Sequence, residues 1–102
     1  MKLLTKALTD RFAKLGRQDT PDAEIVVKFF TPWSNWTWYA TEYDPTTRTF
    51  FGLVEGFETE LGSFSLDELE RIKGPFGLGI ERDLHYGRHT LAEVQGRTGV
   101  AA

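Results

Sequence analysis

A chain of 102 residues with 40% hydrophobic and 14% aromatic residues, four prolines and no long apolar run has the composition of one globular domain and excludes a disordered tail or a membrane-spanning helix. The absence of cysteine excludes disulfides, thiolate zinc sites and a cysteine nucleophile, and fits a reducing, cytoplasmic location. The formal net charge is only −3, yet residues 1–17 set five cations against Asp10 alone, whereas residues 42–70 set eight carboxylates against Arg48 alone.

The first turns, MKLLTKALTDRFAKLG, are broken by Lys6, Asp10 and Arg11 before a signal-peptide core can form, so no targeting segment is expected. Leu4, Leu8, Phe12 and Leu15 recur at helical spacing, which predicts an amphipathic helix over 4–15 closed by Gly16. A polar connection, Arg17 to Ala23, leads to Glu24–Thr31, whose β-branched and aromatic residues suit a first strand. Pro32 to Asn35 reads as a turn, Trp36–Tyr43 as a second strand, Asp44-Pro45-Thr46-Thr47 as another turn and Thr49–Glu55 as a third strand. Gly56 to Glu60 turns the chain again into a short fourth strand, Leu61–Phe64.

Ser65 followed by Glu68 forms a capping box, which starts a helix through Leu66, Leu69 and Ile72 that stops at Gly74-Pro75. The glycine-rich stretch Gly74–Gly79 leads to an extended segment, Ile80–Tyr86, and Thr90 with Glu93 caps a last short helix. The fold class is therefore α+β: an antiparallel meander of about four to five strands flanked by an N-terminal, a middle and a short C-terminal helix. A single domain over 1–102 is expected, ordered over about 3–95 and frayed beyond Gln95.

All three tryptophans fall within FFTPWSNWTWY, residues 29–39. Alternation along the second strand places Trp36, Trp38 and Ala40 on one face, with Phe51 and Leu53 of the third strand expected opposite them, and this marks Trp36 and Trp38 as core. Trp33 sits in the turn after Pro32, where a large ring has less cover. It is the preferred contact residue, although an indole folded back to lid the core accounts for it equally well. Single-stranded nucleic acid would require cations among the aromatics, and this region offers only Lys28 and Arg48, so direct nucleic-acid binding is disfavoured.

Glu81, Asp83 and His85 alternate, so a strand would set two carboxylates and an imidazole on one face, the donor set of a metal-dependent hydrolase or nuclease. An edge strand with one wet face gives the same alternation. Glu55, Glu58 and Glu60 could supply a carboxylate pair, but turn acids look the same. The 74–79 stretch has neither GxGxxG nor a lysine-serine ending, and Ser34, Ser63, Ser65 and His89 lie in no nucleophile motif. No cofactor and no catalytic residue is assigned.

The stretches MKLLTK at 1–6, VKFFTPWSNWTWYATEYD at 27–44 and FFGLVEGFETELGSFSLDELERIKGPFGLGIERDLHY at 50–86 resemble a bacterial family known as Domain of Unknown Function 2958. The resemblance covers about four-fifths of the chain and weakens after Tyr86. It implies no established activity or catalytic residues. It does imply a setting in plasmids and integrated mobile elements, among genes for transfer and for evading host defence.

Together these readings favour a non-enzymatic interaction module that meets a bacterial protein through Trp33, Glu42, Asp44, Glu55, Glu58 and Glu60, with the metal-dependent enzyme built on Glu81, Asp83 and His85 as the alternative.

Overall fold

The computed structural model describes residues 1–98, of which 97 and 98 are described in backbone only. Helix α1 (Lys6–Leu15) begins two residues later than periodicity suggests, because Thr5 is its cap: the Thr5 hydroxyl accepts from the Leu8 amide at 3.2 Å. Gly16 closes the helix with φ 61°, and its amide donates to the Phe12 carbonyl at 2.9 Å.

Five antiparallel strands follow: β1 (Val27–Phe30), β2 (Thr37–Asp44), β3 (Thr49–Glu55), β4 (Thr59–Ser65) and, after helix α2 (Leu66–Arg71), β5 (Glu81–Arg82). Helix α3 (Leu91–Thr98) comes last, and its backbone runs three residues past Gln95. The frayed tail expected there otherwise lies outside the described residues. At both expected capping boxes the cap hydroxyl bonds the helix start, with Ser65 Oγ accepting from the Glu68 amide and Thr90 Oγ1 from the Glu93 amide, each at 3.2 Å.

The sheet order is β4-β3-β2-β1-β5, so the chain leaves one edge, crosses a face through α2 and returns at the other edge. Helices α1 and α2 supply Phe12, Leu66 and Leu69 to the core on that face, packed with Phe29, Trp38, Ala40 and Phe50 of the sheet. On the opposite face α3 and the 23–25 segment supply Leu91, Val94, Ala23 and Ile25, which pack on Tyr39 and Leu53. The first face is the larger and more aromatic of the two. Phe50 alone lies within 6 Å, centroid to centroid, of Phe12 (5.8 Å), Phe29 (5.3 Å), Tyr43 (4.8 Å) and Phe64 (5.3 Å).

Three sequence expectations are corrected. Val54, not Leu53, pairs with Trp38, while Leu53 pairs with Tyr39 and Phe51 with Glu42, so Phe51 and Leu53 lie on the face away from Trp38. The second strand carries a bulge between Ala40 and Glu42; the extra residue, Thr41, is buried and its hydroxyl donates to the Phe51 carbonyl at 3.2 Å. The extended segment expected through Tyr86 stops at Arg82, because Asp83 turns the chain by accepting the His85 amide at 2.9 Å.

Arg11 joins α1 to the 23–25 segment through a two-pronged pair with Glu24, Nε to Oε2 at 3.0 Å and Nη2 to Oε1 at 2.6 Å. Hydrogen bonding from Arg11 lowers the Glu24 pKa below its ordinary 4.5, against a weaker opposing push from burial. The folded pKa lies below the unfolded one, so this stabilisation is whole above about pH 4.5 and is lost as pH falls through the folded value. Glu93, held low chiefly by its hydrogen bond from His89, titrates in the same limb. In thermal melts from pH 7 to pH 2, Glu24→Gln should therefore lower Tm at pH 7 and shrink the difference from the unsubstituted protein toward zero in acid. A constant difference across that range would contradict the assignment.

Candidate interaction surface

The three tryptophans are anchored at one end of the sheet, where the β1–β2 and β3–β4 turns lie side by side. Trp38 is buried at 7% exposure, and Trp36 stacks on it at 5.9 Å. Trp36 also lies flat on Gly56: a Cβ there would fall 2.3 Å from the indole, so only glycine leaves room. Gly74, just before the 3-10 turn Pro75–Gly77, forms the same kind of bed for Trp33, with a Cβ position again 2.3 Å from the ring. Trp33 is half-buried and packs against the aromatic core, the lid arrangement.

Beyond these beds two phenyl rings stand in water. Phe57, next to Gly56, meets Trp36 edge-on at 5.3 Å yet is 95% exposed, so Trp38, Trp36 and Phe57 form a row of rings from core to solvent. Phe76, two residues past Gly74, is 100% exposed and takes φ 57°, ψ 24°, a left-handed conformation that bulky residues avoid at a cost of about 1–2 kcal/mol. The turn is closed on both sides of Phe76 by Leu78 N–H to the Pro75 carbonyl (3.1 Å) and Gly74 N–H to the Leu78 carbonyl (2.7 Å). No apolar burial offsets that backbone cost.

The six residues singled out from the sequence divide between the two ends of the sheet. Trp33, Glu55 and Glu58 lie at the aromatic end, with Glu60 just inside β4 opposite Val54. Among the described residues no cation lies within ion-pair distance of Glu55, Glu58 or Glu60. Glu42 and Asp44 lie at the far end and bond to the fold itself: Glu42 Oε2 accepts the Gln18 amide at 3.1 Å, and Asp44 Oδ1 accepts the Thr46 amide at 2.9 Å. Both border a groove of about 630 Å³ between the end of α1 and the β2–β3 turn. Two more acids of that segment, Asp67 and Glu70, are taken up by Arg48 at 2.8 and 3.0 Å.

Glu81, Asp83 and His85 do border one hollow, together with Lys28, whose ammonium lies 3.7 Å from Asp83. The strand needed to align them ends at Arg82, and among the described residues no three His, Asp or Glu side chains gather as a metal-binding group.

A family model described as a protein of unknown function (DUF2958) matches residues 2–95, which takes in every strand and both beds of the aromatic end. The chain belongs to the DUF2958 family. It matches no curated protein and no solved structure. In this DUF2958 member the most exposed rings, Phe57 and Phe76, are not among the residues chosen from the sequence. A phenylalanine between Gly56 and Glu58, and another between Pro75 and Gly77, carried the only available signal: a large apolar side chain placed where a turn leaves no second layer to cover it.

Proposed function

We propose that this protein is a non-enzymatic interaction module whose aromatic end, with the carboxylates of Glu55, Glu58 and Glu60, engages another bacterial protein. The observation that carries this reading is the pair of solvent-borne rings, Phe57 and Phe76, one of them held out on an unfavourable backbone, beside three carboxylates without an ion-pair partner among the described residues. Aromatic anchors rimmed by charge are a recurrent composition of protein interfaces, and a negative rim selects a basic partner and speeds its approach. Trp33 and Trp36, seated on Gly74 and Gly56, then serve as rigid supports for the contact rings. The setting implied by the family resemblance supports a role as an accessory of a mobile element, in plasmid transfer or counter-defence, acting in the cytoplasm; a carboxylate-rich face can compete with nucleic acid for a basic groove.

The test is affinity capture from nuclease-treated bacterial lysate, comparing the unsubstituted chain with Phe57→Ala/Phe76→Ala and with Glu55→Gln/Glu58→Gln/Glu60→Gln. One protein should be retained specifically, its affinity reduced at least about thirtyfold by the double substitution and its salt dependence flattened by the triple one. Retention of nothing specific, or equal retention by all three chains, would overturn the proposal.

A further inference from the structure

The outer edge of β4 is a second feature that points to a ligand, and it refines the reading above by specifying the kind of segment the partner presents. Among the described residues no strand lies beyond β4, and its pairing with β3 runs unbroken from Thr49 opposite Ser65 to Glu55 opposite Thr59. The hydrogen-bonding phase of this ladder follows from its two ends. Leu66 N–H donates to the Arg48 carbonyl at 3.0 Å, and Gly56 N–H donates to the Glu58 carbonyl at 3.0 Å.

Bonded pairs recur every second residue in an antiparallel ladder, so Glu60, Gly62 and Phe64 turn their amides and carbonyls inward. Thr59, Leu61 and Ser63 turn theirs outward, where no turn, loop or cap bond among the described residues reaches them. Three usual protections of an edge are missing, since the sequence TELGSFS has no proline and no lysine and the register has no bulge; its one charge is Glu60.

The two faces beside this edge differ. On the Tyr39 face, Leu61 and Phe51 are 44% and 38% exposed and line a groove of about 230 Å³ with Pro21 and Leu91. On the Trp38 face stands the exposed carboxylate of Glu60, with Glu58 close by in the turn. We infer that β4 accepts an extended segment of another protein as a sixth, antiparallel strand, with alternating apolar and basic side chains. The apolar ones cover Leu61 and Phe51, the lysines or arginines meet Glu60, and the outward groups of Thr59, Leu61 and Ser63 supply the ladder.

Charge selects this occupant over a second copy of the chain. Two copies joined edge to edge along the full strand would meet at Gly62 and set the exposed Glu58 and Glu60 of both copies along one seam, with no cation within ion-pair distance of either among the described residues. A basic segment removes that repulsion.

The probe is a synthetic eight-residue peptide alternating lysine and valine, titrated into the full chain and followed by residue-resolved amide hydrogen exchange. Protection should appear at Thr59, Leu61 and Ser63, vanish when alternate peptide amides are N-methylated, and weaken as salt rises. Ser63→Pro removes an outward amide without touching the β3 ladder and should reduce affinity at least about tenfold at unchanged Tm. Glu60→Lys should reduce it similarly and remove the salt dependence.

No protection at those three amides at millimolar peptide overturns the inference, as does a dimer in sedimentation whose formation protects the same amides. If a captured partner protects residues 56–58 and 74–77 but not the β4 edge, the interaction module stands and the edge inference falls.

Discussion

Phe50→Ala should destabilise the protein by about 3–5 kcal/mol, whereas Phe51→Ala, one residue along the same strand, should cost under about 1 kcal/mol. Phe50 is 1% exposed and its ring lies among four others, so truncation leaves a cavity walled by Phe12, Phe29, Tyr43 and Phe64 that rigid rings on three strands and a helix cannot collapse to fill. Phe51 is 38% exposed on the opposite face and loses only partial burial. Set against a total stability of about 5–15 kcal/mol for a domain of this size, the first substitution removes a large share and lowers Tm by about 15 °C or more. Urea titrations with an unchanged m value would show that stability, rather than the compactness of the unfolded chain, has moved. The comparison also tests register: a one-residue slip exchanges the faces, and a greater loss from Phe51→Ala than from Phe50→Ala would mean that β3 is paired out of phase.

That pair of phenylalanines shows what the sequence could and could not say. The elements were legible because their signals are local: Gly16 after the apolar stripe, Asp44-Pro45 between two aromatic runs, and serine or threonine three residues ahead of glutamate at 65/68 and 90/93. Which of two adjacent phenylalanines faces Trp38 is not local. It depends on the length of the β2–β3 turn and on the bulge at Thr41, and neither leaves a mark in a strand where residues of both faces are apolar. The return of β5 to the far edge was hidden for a related reason: the alternation over 80–86 does not say which edge the segment joins, and only Glu81 and Arg82 of it pair with β1.

The candidate surface was half legible. Clustered tryptophans and an excess of carboxylates over residues 42–70 were visible, but composition could not show that Glu42 and Asp44 are occupied by Gln18 and Thr46 at the other end of the sheet. Nor could it show that the exposed rings belong to Phe57 and Phe76 while the indole in the turn is half-buried against the core. The 74–79 stretch reads from the sequence as a glycine-rich connection. Its glycine content hides the fact that one of the two left-handed residues in the 3-10 turn is Phe76, the other being Gly77.

The bed under Trp33 gives the second large effect. Gly74→Ala should destabilise by about 1–3 kcal/mol and shift tryptophan emission to the red, because the added Cβ would lie 2.3 to 2.6 Å from three atoms of the indole. The backbone is no obstacle: Gly74 sits at φ −105°, ψ −162°, an extended conformation open to alanine. The conflict is therefore with the ring alone, and a double-mutant cycle isolates it. Trp33→Ala should itself destabilise by removing a lid from the core, but in that background Gly74→Ala should cost almost nothing, since the atoms it strikes are gone. Equal costs for Gly74→Ala in both backgrounds would mean that Trp33 does not rest there. Because Gly74 also donates to Leu78 and so closes the turn that holds Phe76 out, displacing Trp33 should disturb that ring as well. Loss of partner capture by Gly74→Ala, with Phe76 itself intact, would then assign Trp33 to holding the contact residue in place, which is the division of labour the bed-and-ring arrangement implies at Gly56, Trp36 and Phe57 too.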